Sequence, residues 1–146
     1  KQNDRARAEF SIVIAQHPSD VFADRSSMQL AKLLQDEKEY QAAVDTLNAV
    51  VGRRNDDIAA EALLMMGDVY MAYKKPVDAL SAYKDVVDQY TEFPLLIERG
   101  HLGKGSAFEA LRDRKNARLE YEEVVKSNLD PVIRAEADNR LRRLKK

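Results

Sequence analysis

The stretch Met66-Gly67-Asp68-Val69-Tyr70, with Ala79 and Tyr83 behind it, recurs twice in altered form. Thirty-eight residues on stand Lys104-Gly105-Ser106-Ala107-Phe108, then Ala117 and Tyr121; thirty-six residues earlier stand Leu30-Ala31-Lys32-Leu33-Leu34, then Ala43 and Leu47. In every copy a small residue (Ala31, Gly67, Gly105) precedes a second one (Ala43, Ala79, Ala117) by 12 positions, and a large residue follows 4 positions later. Two internal spacings held three times over are the mark of a repeat architecture.

The pattern extends in both directions. Upstream, Ala6, Phe10, Val13 and Ile14 match Ala79, Tyr83, Val86 and Val87; downstream, Pro131 to Leu144 resembles an opening helix, as Pro94 begins the third unit. The expected organisation is one domain over residues 1–146. It comprises the second helix of a partial repeat (1–18), three repeats (19–55, 56–92 and 93–129) and a terminal helix (130–146). This places a break in the repeat at Lys1.

Each unit reads as two helices. Ala62, Leu63, Met66, Val69, Tyr70 and Tyr73 recur at three- and four-residue intervals, one face of a helix. Lys74-Lys75 forms a turn, and Pro76 suits the first position of the next helix, where its missing N–H costs nothing. Ala79, Leu80, Tyr83, Val86, Val87 and Tyr90 form the second apolar face. Asp20, Asp57 and Asp130 stand near helix starts, where a carboxylate can accept orphan N–H groups, and Gly52 suits a left-handed helix end. Gly67, Gly105, Ala43, Ala79 and Ala117 let backbones approach, so that Tyr70, Phe108, Tyr83 and Tyr121 fill the space between hairpins. Gly67 costs about 1 kcal/mol of helix propensity, which implies that close packing holds it there.

Composition agrees with a helical protein: five Gly, four Pro, 45% apolar and 34% charged residues. With 24 basic against 25 acidic side chains the net charge is −1, so the surplus of cations that a nucleic-acid binder needs is missing. The one basic run, Arg140, Arg142, Arg143, Lys145 and Lys146, is explained by the preference of cations for a helix C-terminus. Without cysteine there is no disulfide, thiolate or Cys-based metal chemistry, and no apolar run reaches the roughly 20 residues that cross a bilayer. No Gly-rich phosphate loop, nucleophile elbow or metal-spaced His/Glu motif occurs. His17 at a helix end and His101 on a packing position read as structural. Glu120 and Glu122, near Arg118 and Lys126, read as exposed helix-face pairs. The expectation is therefore no enzyme and no cofactor.

At these residues the chain resembles the tetratricopeptide repeat family, whose pattern is W-x2-L-G-x2-Y, A-x3-F, P. The middle unit reads Leu63-x2-Met66-Gly67-x2-Tyr70, then Ala79-x3-Tyr83. The third reads His101-x2-Lys104-Gly105-x2-Phe108, then Ala117-x3-Tyr121. The first, Ser27-x2-Leu30-Ala31-x2-Leu34 and Ala43-x3-Leu47, diverges most, and Pro18 matches the closing proline of the upstream half-unit. The resemblance implies an all-α, right-handed α-α superhelix of antiparallel hairpins. The period of 36 to 38 exceeds the family's 34, with the extra residues between units. That is similar to bacterial cell-envelope members, which implies a cell-envelope or periplasmic location, with the cytoplasm as the alternative. The turn inside each hairpin carries Lys38, Lys74 or Arg112 near the place of the usual Gly. The Lys–Asn pair of the family's chaperone-tail clamp is missing from Met28/Lys32, Leu64/Asp68 and Leu102/Ser106.

On the family's geometry the first helix of each unit lines a concave groove. The first unit would contribute Arg25, Met28, Lys32, Gln35 and Asp36. The second would contribute Glu61, Leu64, Asp68, Met71 and Ala72; the third Arg99, Leu102, Ser106 and Glu109; the last helix Asn139 and Arg143. Such a wall, mixing Met and Leu with both charge signs, suits a peptide or partner protein. The expected role is a protein–protein interaction scaffold, with no nucleic-acid partner and no insertion into a membrane. The alternative is a structural spacer or self-assembly segment of a longer repeat protein, associating through an unpaired N-terminal edge that exposes Phe10, Val13 or Ile14.

Overall fold

Aspartate and proline set the helix starts in the computed structural model, which describes residues 2–146. The break expected at Lys1 lies outside the described residues. Among those described, the helices are α1 (Gln2–Gln16), α2 (Val21–Asp36), α3 (Tyr40–Val51) and α4 (Asp57–Ala72), then α5 (Pro76–Gln89), α6 (Pro94–Ala110), α7 (Arg114–Ser127) and α8 (Pro131–Lys145). Asp20 and Asp130 cap α2 and α8, accepting from the Phe22 N–H at 3.3 Å and the Val132 N–H at 2.8 Å. At α4 the cap is Asp56, which accepts from Ala59, and Asp57 is the first helical residue. Pro76, Pro94 and Pro131 open α5, α6 and α8.

Gly52 does not take the left-handed conformation expected of it. Its φ is −66°, because its N–H continues the helical bonding to the Asn48 carbonyl. The left-handed residues are Lys38 (φ 64°), Lys74 (61°), Arg112 (61°) and Asn128 (51°). The first three close their hairpins identically: the Lys74 N–H reaches Met71 O and the Lys75 N–H reaches Tyr70 O, a pattern repeated at Lys38-Glu39 and Arg112-Asp113. Each non-glycine residue in this region costs about 1 kcal/mol, and in the three hairpins the two turn-closing backbone bonds hold it there.

Consecutive helices pack antiparallel, α1 on α2 through to α7 on α8. Ala31, Ala43, Ala79 and Ala117 have no exposed surface, and the large residues lodge beside them. Tyr83 is the clearest case. Its ring lies between Gly67 of its own hairpin and Gly103 of the next; a Cβ on Gly103 would sit 2.5 Å from Tyr83 Cδ1, and one on Gly67 would fall within the ring's own contact distance. Tyr121 lies against Gly105 in the same way. Tyr70 and Phe108 are half-buried against the two apolar clusters of the core.

The backbones of α2 and α4, of α4 and α6, and of α6 and α8 also approach one another, whereas among the described residues α3, α5 and α7 make no such approach. Alternate helices thus converge on one wall and splay on the other. The stack curves as a right-handed α-α superhelix with α2, α4, α6 and α8 inside.

Two buried carboxylates at matching positions secure the connections between hairpins. Asp24 of α2, 1% exposed, accepts from Arg53 Nε at 2.9 Å and Arg54 Nη1 at 3.0 Å in the α3–α4 connection. Glu98 of α6, also 1% exposed, accepts from Ser127 Oγ at 2.6 Å and from the Leu129 and Asp130 N–H groups at 3.0 and 2.9 Å, ahead of α8. The residues that lengthen the repeat are held by these carboxylates, while the middle hairpin has the buried Ala60 at that place.

α1 differs from expectation. Phe10, Val13 and Ile14 are half-buried because α1 packs on α2, and Ile12 is the large apolar residue exposed on α1 instead. Arg7 ties α1 to the first hairpin turn through Glu37 at 2.9 Å and Glu39 at 2.8 Å.

Candidate functional site

Two hollows open on the inner wall. The first, about 370 Å³, lies between α2 and α4 and is lined by Arg25, Met28, Gln29, Lys32, Gln35, Glu61, Met65 and Asp68. Arg25 Nη1 donates to Glu61 Oε2 at 2.6 Å, so these two charges neutralise one another across the junction. Met28 is buried and forms part of the floor, whereas Lys32 is exposed and makes no ion pair among the described residues.

The second hollow is narrower, about 180 Å³, and is lined by Leu64, Asp68, Tyr83, Arg99, Leu102, Gly103, Ser106 and Ile133. Leu64 is buried, so its role is to shape the floor and not to reach a ligand. The Tyr83 hydroxyl donates to Asp68 Oδ1 at 2.6 Å. Desolvation raises the Asp68 carboxyl above its ordinary value, against the opposing pull of the Tyr83 hydroxyl and of Arg99. Desolvation beside Asp68 likewise drives the Tyr83 phenol up, so this hydroxyl remains a donor.

The wall ends at α6 and α8. Arg140 Nη1 donates to Glu109 Oε1 at 3.1 Å, and the Tyr121 hydroxyl donates to the same oxygen. Burial and Glu109 together push the Tyr121 phenol up to about 12. Glu109 and Arg143 line a third hollow at this end, with Arg112, Arg114 and Leu144. The α2–α4 and α6–α8 junctions are thus each tied by an ion pair, Arg25–Glu61 and Arg140–Glu109, whereas in the middle Asp68 is bound by Tyr83 of its own hairpin and feels the charge of Arg99.

Of the residues expected on the wall, Arg25, Met28, Lys32, Gln35, Glu61 and Asp68 come together in the first hollow, and Leu64, Asp68, Arg99, Leu102 and Ser106 in the second. Asp36, Met71 and Asn139 line neither: Asp36 and Asn139 are exposed elsewhere, and Met71 packs against the core. Sequence reasoning missed Gln29 and Met65, although each lies four residues beyond an identified wall residue, Arg25 and Glu61, on the same helix face. Tyr83 and Ile133 were invisible as wall residues because their reach depends on how hairpins stack.

Glu120 also departs from expectation. It is half-buried and bound across the hairpin by His101 Nδ1 and Lys104 Nζ, both at 2.7 Å, and does not pair along its own helix with Arg118 or Lys126. Among the described residues no group of three or more His, Cys, Asp or Glu is placed to hold a metal ion, and no helix is long and apolar enough to cross a membrane.

A family model described as tetratricopeptide repeat-like domain matches residues 1–95. No curated protein matches the sequence. Among solved structures, the crystal structure of MamA superposes with a TM-score of 0.70 over 98% of this chain and 86% of that one, at 15% identity, a likeness of fold.

Proposed function

We propose, from the premise that the chain belongs to the tetratricopeptide repeat-like family of protein-interaction scaffolds, that its partner lies in the concave groove as an extended or helical peptide segment. The observation that carries this is the first hollow. It is long enough for a large side chain, floored by Met28 and rimmed by Met65, with Gln29, Gln35 and Lys32 as polar groups around it. Methionine adapts to the shape of an apolar side chain, and the two amides and the ammonium supply donors to its backbone or to a neighbouring carboxylate.

Because Arg25 is committed to Glu61, the cation available to a partner in this hollow is Lys32. Reversal of charge at Lys32 should weaken binding, whereas reversal at Arg25 would also disturb the α2–α4 junction. A photo-crosslinking residue at Met65 should capture a partner that the same residue at Glu122, exposed on α7, does not. Equal capture from both positions would remove the groove as the docking surface.

A further inference from the structure

We infer that the hollow between the α6–α7 turn and the end of α8 is an anion site that seats an acidic segment of a partner polypeptide. It has a volume of about 430 Å³ and is lined by Glu109, Arg112, Arg114, Arg143 and Leu144. Three of its five lining residues are arginines in a chain whose net charge is −1. Its one carboxylate is already engaged, since Glu109 accepts from Arg140 and from the Tyr121 hydroxyl. Arg112 and Arg143 make no ion pair among the described residues. Arg114 is fixed in place by donating from Nη2 to the Leu144 carbonyl at 2.8 Å, which joins the start of α7 to the end of α8.

Helix-end electrostatics explain part of this cluster, because Arg143 lies in the last turn of α8 and Arg112 follows the end of α6. They do not explain the convergence. Three arginines from two separate chain segments line one hollow, and a bound anion would offset the repulsion among their like charges.

The surroundings favour carboxylates on a polypeptide over a phosphate surface. Glu109, paired with Arg140 in the lining, opposes a compact multiply charged phosphate more than single charges spaced along a peptide. Leu111, exposed in the α6–α7 turn beside Arg112, offers an apolar contact that a peptide side chain can use. The hollow also continues the inner wall through Glu109, so a segment lying in the groove would run out over it. The choice of a polypeptide rests on that docking proposal; the anion site itself does not.

The test uses a fluorescein-labelled peptide of alternating glutamate and leucine, its glutamine counterpart, inorganic phosphate and phosphatidylglycerol vesicles, with the full chain. Arg112→Gly with Arg143→Gln should weaken the acidic peptide about tenfold at low salt, the glutamine peptide should not bind, and Met65→Ala should change its affinity little. Arg112→Gly alone should melt at or above the temperature of the parent, so lost binding is not lost folding. Equal affinity in parent and double variant would overturn the site. Tighter binding of phosphate, or Arg-dependent binding of vesicles without binding of the peptide, would overturn the polypeptide assignment. Arg-dependent binding of the peptide, with no partner crosslinked at Met65, would leave the anion site standing and remove groove docking.

Discussion

Tyr83 should be coupled to Gly67 strongly enough to reverse the sign of a substitution. Alanine at Gly67 gains about 1 kcal/mol of helix propensity in isolation. In the protein its Cβ would meet three atoms of the Tyr83 ring, and the ring cannot retreat because Gly103 faces it from α6. Overpacking of this kind costs about 1–3 kcal/mol, and a ring confined on both sides belongs at the upper end, so Gly67→Ala should lose about 1–2 kcal/mol net. In a chain of this size that lowers the melting temperature by roughly 3–6 °C. Tyr83→Leu alone should lose about 2–3 kcal/mol, from ring volume and from the hydroxyl bond to Asp68. In the Tyr83→Leu background, however, Gly67→Ala recreates the pair that the first hairpin already uses, Ala31 with Leu47, both fully buried. There the alanine should be neutral or stabilising, a coupling of about 2 kcal/mol. Urea unfolding followed by circular dichroism at all four corners of the cycle measures it. A Gly67→Ala variant more stable than the parent, or equal shifts in both backgrounds, would refute the wedged-ring account.

Glu98→Ala should cost about 2–3 kcal/mol, because it removes the acceptor of the Leu129 and Asp130 N–H groups, and hydrogen exchange at Leu129 and Asp130 should accelerate. Lys74→Gly should stabilise by about 0.5–1 kcal/mol by relieving a left-handed side chain, a gain read in a urea midpoint. Burial pushes the Glu120 carboxyl up, but its bonds from His101 and Lys104 outweigh that and hold it below the ordinary glutamate value of 4.5. A depressed folded value means stability that is present above the unfolded value and lost as the pH falls through the folded one. Thermal melts should therefore drop on acidification below that value, and Glu120→Gln should flatten this part of the profile.

The helices, their pairing into hairpins and the seats of Gly67, Gly105 and the three alanines were legible in the sequence, because each depends on contacts within about one repeat. Helix starts at Asp20, Pro76, Pro94, Asp130 and Pro131 were legible for the same local reason. Gly52 misled because glycine permits a left-handed turn without requiring one, while Lys38, Lys74 and Arg112 took that conformation under the hydrogen-bond pattern of the hairpin. The inner wall was readable in outline, since its residues follow the helix period; Asp36, Met71 and Asn139 line neither of its two hollows, and Met71 packs against the core instead.

Tertiary structure alone decided which polar groups meet. Asp24 with Arg53 and Arg54, Glu98 with the backbone ahead of α8, and Arg114 with the Leu144 carbonyl each join positions about thirty residues apart. Their separation in space is set by the angle at which one hairpin stacks on the next. Side-chain periodicity fixes the face of a helix on which a residue lies, but that stacking angle arises from packing between hairpins, such as the Tyr83 ring against Gly103 of the next, and no single segment of sequence contains it.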